Sequence, residues 1–163
     1  MHEIHSEKKE DQFEGNDWIL DTDINLVGLV ADKLKERLTK AGWAEEEAMN
    51  MEVGFREALI NAIVHGNLGL KEKPDGIDWG MAALRKQERE KSDKKVYIKL
   101  NISPEEVIIV VRDEGEGFNW QEKKEYDPLK SSGRGEIFMK AYYDSFERNE
   151  KGNEITLIKN REK

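Results

Sequence analysis

Val27, Val30, Leu34 and Leu38 recur at helical spacing, and apolar side chains every three or four residues give a helix one buried face. The pattern predicts a first helix from about Asp23 to Ala41, capped by Thr22 or Asp23 and ended by Gly42. A second helix is predicted from near Ala44, where Glu45, Glu46 and Glu47 suit the positive end of the helix dipole, to a stop at Gly66. Gly54 lies inside it at a cost of about 1 kcal/mol relative to Ala, a sign of close packing there. Trp18-Ile19-Leu20 reads as a short strand, and residues 1–15, which lack periodicity, as a flexible tail. Later, Val96, Ile98, Leu100 and Ile102 alternate with polar positions as in a half-buried strand. Ser103-Pro104-Glu105-Glu106 turns the chain, and Val107–Val111 is an unbroken apolar run suited to mid-sheet. A last hairpin is predicted over about Ser145–Arg148 and Glu154–Lys159. Two helices with mostly hairpin-linked strands imply an α/β (α+β) two-layer sandwich, helices on one face of a mixed, largely antiparallel sheet.

The second helix breaks its own pattern. Glu57, Asn61 and His65 are spaced by four, so they form one slowly drifting stripe beside the apolar Phe55, Leu59, Ile60, Ile63 and Val64. A carboxylate, an amide and an imidazole bordering a buried face are costly unless they meet a partner or a ligand. Taken alone, Glu57 also reads as a surface residue and Asn61 as a satisfied core amide. His65 reads as scaffold, ending the helix through a local hydrogen bond.

Two glycine motifs follow. The buried strand runs into Asp113-Glu114-Gly115-Glu116-Gly117-Phe118; a carboxylate at a strand end beside two close glycines can meet a ligand where the backbone passes near it. Then Ser131-Ser132-Gly133-Arg134-Gly135 leads into the helix-like Glu136-Ile-Phe-Met-Lys-Ala-Tyr-Tyr, and a Gly-rich loop feeding a helix N-terminus offers backbone N–H groups to an anion such as phosphate. The Gly-Lys-Ser/Thr ending of a P-loop is missing, and no βαβ unit supports a dinucleotide fingerprint.

Composition narrows the classes. The 163 residues fit a single domain with its own core, 16–163. The absence of cysteine excludes disulfides and thiolate chemistry. A net charge of −8 argues against broad nucleic-acid binding, and no apolar run approaches a membrane span. A soluble cytoplasmic protein, off the membrane, is the expectation. Residues 69–95 form a polar insert with a short helix from Asp78 to Glu90, in which Arg85, Lys86, Arg89, Lys91, Lys94 and Lys95 read as a solvated face or as a dock for an acidic partner.

In this order and spacing, Glu-x-x-x-Asn-x-x-x-His-Gly, Asp-x-Gly-x-Gly-Phe and Gly-x-Gly resemble the GHKL ATPase superfamily, with its histidine-kinase-like ATPase fold. The short segment between the glycine motifs and the ending Gly-Arg-Gly…Ala-Tyr-Tyr-Asp144…Gly152-Asn153-Glu-Ile-Thr look closest to the anti-sigma-factor serine/threonine kinases of bacteria. The resemblance covers about residues 16–160 and implies ATP and Mg²⁺ as cofactors. It implies that Asn61 ligates the Mg²⁺ that bridges the phosphates, and that Glu57 is the general base for the attacking hydroxyl. It further implies that Asp113 accepts from the adenine amino group, with Gly115 and Gly117 allowing close packing. Residues 118–132 correspond to the lid, and Gly133, Arg134 and Gly135 to the phosphate contacts. Asn153 stands where relatives hold adenine with a Thr, Glu136 puts a negative charge where an apolar residue is common, and the insert is long for the family. The implied partners are an anti-anti-sigma antagonist, which is phosphorylated, a sigma factor or similar regulator, which is sequestered, and a second copy in a homodimer. The alternative reading is a non-catalytic nucleotide-binding module that acts by sequestering a partner.

Overall fold

The alternating Lys95–Ile102 (β3) and the apolar run of Glu106–Arg112 (β4), whose burial alternates, build the middle of the sheet. Val96, Ile98 and Leu100 on β3 and Val107, Ile109 and Val111 on β4 point to the buried face. Leu100 stands opposite Ile109 in the antiparallel register. The computed structural model describes the backbone of residues 2–4, 13–117 and 131–161, with side chains from 13–117 and 136–161. The other strands are His2–Ile4 (β1), Asp17–Asp21 (β2), Ser145–Arg148 (β5) and Glu154–Asn160 (β6). The sheet order is β1-β2-β3-β4-β6-β5. Among the described residues only the β1–β2 pair is parallel, so the sheet is mixed and largely antiparallel as expected.

Helices cover the buried face. Asp23 accepts the N–H of Asn25 and opens a 3₁₀ turn, Ile24–Leu26, so the first α-helix proper is Val27–Lys40 (α1). Gly42, at φ +100°, ends it in the left-handed region. Glu45–Asn61 is α2, Trp79–Arg89 is α3 and Ser131–Tyr142 is α4. The stretch read as a tail contributes to the fold: His2–Ile4 pairs with β2, and Phe13, 6% exposed, packs edge-on against Trp18 at 5.2 Å. Arg37 of α1 donates to the carbonyl of Gly15 at 2.6 Å and to Asn16 Oδ1 at 2.6 Å, fixing the approach to β2. An isolated apolar residue among charges carries no period, so only its tertiary partners reveal it.

Gly54 is the packing point the pattern suggested. A Cβ there would lie 2.6 Å from Cε2 of Tyr143. That ring is buried, and its hydroxyl donates to the carbonyl of Met51 at 2.6 Å, so it cannot swing away. Gly54→Ala is therefore expected to destabilise the protein by about 1–3 kcal/mol, despite Ala's better helix propensity. Urea unfolding checks this, and an unchanged midpoint would refute the packing account.

Candidate functional site

The second helix does not stop at Gly66 as the pattern predicted. It passes from α2 into a π-helical turn, Ala62–Asn67, a wider turn that often marks functional sites. The change of pitch sets His65 apart from Glu57 and Asn61, which stay one turn apart on α2. Asn61 ends α2 half-buried, and among the described residues its side-chain amide carries no hydrogen bond. Glu57 lies one turn earlier, half-buried. His65 lies on the wider turn, with Nδ1 2.8 Å from the carbonyl of Leu70. A carbonyl can only accept, so Nδ1 carries the hydrogen. The ring stands edge-on to Trp79 of α3 at 4.6 Å. His65 thus ties the π turn to the insert.

The same turn brings Gly66 and Asn67 against the loop after β4. A Cβ on Gly66 would fall 2.5 and 2.7 Å from the two carboxylate oxygens of Asp113. One on Gly115 would lie 2.7 Å from the carbonyl carbon of Gly66. Only glycine fits at either position. Gly117 holds φ +81° with its Cα facing the backbone of Lys151, a conformation and a contact that each favour glycine. Asn67, 6% exposed, is the residue that sequence reasoning missed. Its Nδ2 donates to Thr22 Oγ1 at 2.9 Å and to the carbonyl of Lys95 at 3.0 Å. Its Oδ1 accepts the N–H of Glu114 at 2.7 Å. One amide thereby joins helix, β3 and the glycine loop. The only signal in the sequence was a polar residue between Gly66 and the apolar Leu68.

Asp113 is 7% exposed. Burial pushes its carboxyl up from the ordinary 3.8 to about 6, against the pull of the Gly115 N–H and of the Lys151, Lys94 and Arg112 charges. Oδ1 accepts that N–H at 2.8 Å, and among the described residues Oδ2 accepts nothing. The backbone of Asp113 is pinned by Asn153, whose carbonyl accepts the Asp113 N–H at 2.9 Å and whose Nδ2 donates to the Asp113 carbonyl at 3.0 Å. Asn153 Oδ1 in turn accepts from Asn149 at 2.7 Å. Asn153 therefore holds the carboxylate's backbone from behind. Next to it, Glu114 accepts from the Lys95 N–H at 2.9 Å and from the Tyr97 hydroxyl at 2.8 Å, and these bonds keep its carboxyl below the usual range.

At the far side, α4 begins at Ser131, so Gly133 and Arg134 occupy its first turn and Gly135 follows it, all three within the helix instead of in a loop ahead of it. The offer to an anion survives, because the first four N–H groups of a helix have no partner within it. Ser131 and Ser132, expected in the lid, are helical as well, and 118–130 of that expected lid lie outside the described residues.

A family model described as a histidine kinase-like ATPase domain matches residues 20–159. The chain belongs to this family. No curated relative matches it. In the ATPase domain so identified, the sheet and helices agree with the fold expected from the sequence, and ATP is the ligand class that membership carries. The residues present suit it. A desolvated carboxylate with one unengaged oxygen, framed by glycines that leave no methyl in the way, fits a flat base bearing an exocyclic amine. An unpartnered amide at the end of α2 fits a hard cation that keeps most of its waters. Among the described residues no three His, Asp or Glu converge as a metal cage; Asn61 is the residue that would hold a Mg²⁺. The unexpected Glu136 is accounted for: its Oε1 accepts from Arg148 of β5 at 3.0 Å, so it meets the anion site as half of an ion pair. No helix among the described residues is long and apolar enough to cross a membrane.

Proposed function

We propose that this ATPase domain is a protein serine/threonine kinase of the anti-sigma-factor type. The observation that carries the reading is Asp113, a buried carboxylate with one oxygen on the Gly115 N–H and the other unengaged among the described residues. It is joined to the α2 stripe through Gly66 and Asn67. In this reading Asp113 accepts from the base, with Gly115 and Gly117 allowing it and the lid to close. Gly133, Arg134 and Gly135 face the phosphates, the first two within the turn of α4 whose N–H groups are free of the helix.

Asn61 would hold a Mg²⁺, which when bound would supply positive charge to the triphosphate. Glu57 takes the proton of a serine or threonine hydroxyl as its oxygen bonds to the γ-phosphorus. The bond from that phosphorus to the bridging oxygen breaks, and ADP leaves. Phosphoryl transfer asks mainly for this positioning and charge neutralisation. The hydroxyl belongs to an anti-anti-sigma antagonist. The protein bound when that antagonist is absent is a sigma factor or similar regulator, and the assembly is a homodimer. The sequestering module without catalysis loses one of its supports, because Glu136 is paired with Arg148.

Glu57→Ala is expected to lower transfer of γ-phosphate to the antagonist by about 10²–10⁴-fold, the usual worth of a general base, while leaving nucleotide binding in place. Undiminished transfer would remove Glu57 from the mechanism. Binding of the antagonist without any transfer by the unaltered protein would favour the sequestering module. Asn61→Ala acts one step earlier. Saturating Mg²⁺-ATP at 100 times its dissociation constant should stabilise the parent protein by about 2.7 kcal/mol, and most of that shift should vanish in the variant. An equal shift in both would dismiss Asn61 as the cation ligand.

A further inference from the structure

The stretch 85–95 concentrates Arg85, Lys86, Arg89, Lys91, Lys94 and Lys95 against Glu88, Glu90 and Asp93, on a chain whose net charge is −8. The fold collects three of these lysines in one place. Lys86 from α3, and Lys91 and Lys94 from the connection to β3, line an open cleft of about 280 Å³ with Ser92, Asn67 and Leu68. Elsewhere Lys33, Lys35, Arg56, Lys95, Arg148 and Lys159 each face a carboxylate. Among the described residues, Lys86, Lys91 and Lys94 form no ion pair, although the Lys94 charge also acts on Asp113 and Glu114 and Glu90 stands on the same rim.

The walls of this cleft are fixed. Gln87 of α3 accepts the Ile24 N–H at 2.9 Å and donates to Asp23 Oδ1 at 2.8 Å, which locks the helix to the start of α1. Thr22 donates to the carbonyl of Lys94 at 2.5 Å, and the Lys94 N–H donates to Ser92 Oγ at 3.2 Å. The floor is Asn67, with its hydrogen bonds fully committed to Thr22, Lys95 and Glu114. Three like charges held around one hollow repel each other and attract an anion. At exposed positions one carboxylate gains little, about 0–1 kcal/mol, so an occupant must carry several charges to be held.

We infer that this cleft docks an acidic segment of a protein partner, one that presents two or more Asp or Glu side chains to Lys86, Lys91 and Lys94. The inference does not rest on kinase activity. Asn67 lines the cleft and also accepts the Glu114 N–H beside Asp113, so the cleft adjoins the glycine loop.

The test is fluorescence anisotropy of a labelled hexaglutamate peptide with the full chain at low salt, without nucleotide. Saturable, salt-sensitive binding is expected. It should weaken about tenfold or more in Lys86→Glu/Lys91→Glu/Lys94→Glu and persist in Lys40→Glu/Lys99→Glu/Lys140→Glu, which changes the net charge equally at exposed sites elsewhere. If the first triple variant fails to fold, Lys91→Glu alone should still weaken binding. No binding by the parent chain, equal loss in both triple variants, or binding of inorganic pyrophosphate as tight as that of the peptide would each overturn the proposal. Failure here leaves phosphotransfer untouched, and failure of phosphotransfer leaves this cleft as it is.

Discussion

Asp113→Asn is expected to make the free protein more stable and to weaken its hold on ATP by about 10–150-fold. Burial raises the carboxyl of Asp113 from 3.8 to about 6. The folded chain therefore binds a proton more tightly than the unfolded one. The stability this contributes is complete below about pH 4 and is lost as the pH rises through about 6. Above that the domain keeps an ionised carboxylate where it is poorly solvated, at a cost of up to about 3 kcal/mol at 1.36 kcal/mol per pKa unit. An amide carries no such cost. Urea unfolding at pH 7.5 should show the variant to be the more stable protein, and the difference should shrink towards pH 4.

Function moves the other way. The carboxylate presents one oxygen to the Gly115 N–H at 2.8 Å and leaves the other for a ligand donor. An amide that keeps its oxygen on Gly115 turns an N–H₂ towards the adenine amine, donor against donor. Loss of a buried hydrogen bond to a charged group costs about 1.5–3 kcal/mol, so ATP affinity should fall by about 10–150-fold. A variant that binds ATP as the parent does would remove Asp113 from the base contact. One that is less stable at neutral pH would show that the Asp113 charge is better compensated than its burial indicates.

Gly66→Ala should damage both properties together. The added methyl would fall 2.5 Å from Asp113 Oδ2 and 2.7 Å from Oδ1, while the carbonyl of Gly66 is already packed against Gly115. Neither side can yield cheaply, because Asp113 is pinned through Asn153 and Glu114 through Asn67. Overpacking of this kind costs about 1–3 kcal/mol. It must also turn the carboxylate out of its place, so the loss of ATP binding should equal or exceed that of Asp113→Asn. Equilibrium unfolding and nucleotide titration measure the two effects. Loss of stability with undiminished nucleotide binding would show that the Asp113 carboxylate does not need its present seat.

Much of this was legible from one-dimensional pattern. The β3 alternation, the unbroken apolar run of β4, the α1 stripe and the glycine-acid loop after the buried strand are local signals, fixed by hydrophobic pattern or by the backbone freedom of glycine, and each lies where expected. Asp23 caps the first helical turn as its type and position suggest. The weak point was the end of α2. A fourfold spacing holds only while the helix keeps its pitch, and the π turn at Ala62–Asn67 alters that pitch. Nothing in Ala-Ile-Val-His-Gly-Asn announces the change by propensity. It follows from what the turn must meet: Leu70 and Trp79 for His65, Asp113 for Gly66, and Thr22, Lys95 and Glu114 for Asn67.

Glu136 makes the same point with charge, since its partner Arg148 is twelve residues away on a strand and out of reach of any helical spacing. The sequence by itself determined which chemistry the domain could hold, because residue types and the spacing of Glu57, Asn61, Asp113, Gly115 and Gly117 are covalent facts. Tertiary structure alone decided how that chemistry is tuned. A carboxyl's proton affinity depends on how much water the fold removes, and a helix's final pitch depends on the partners packed against it.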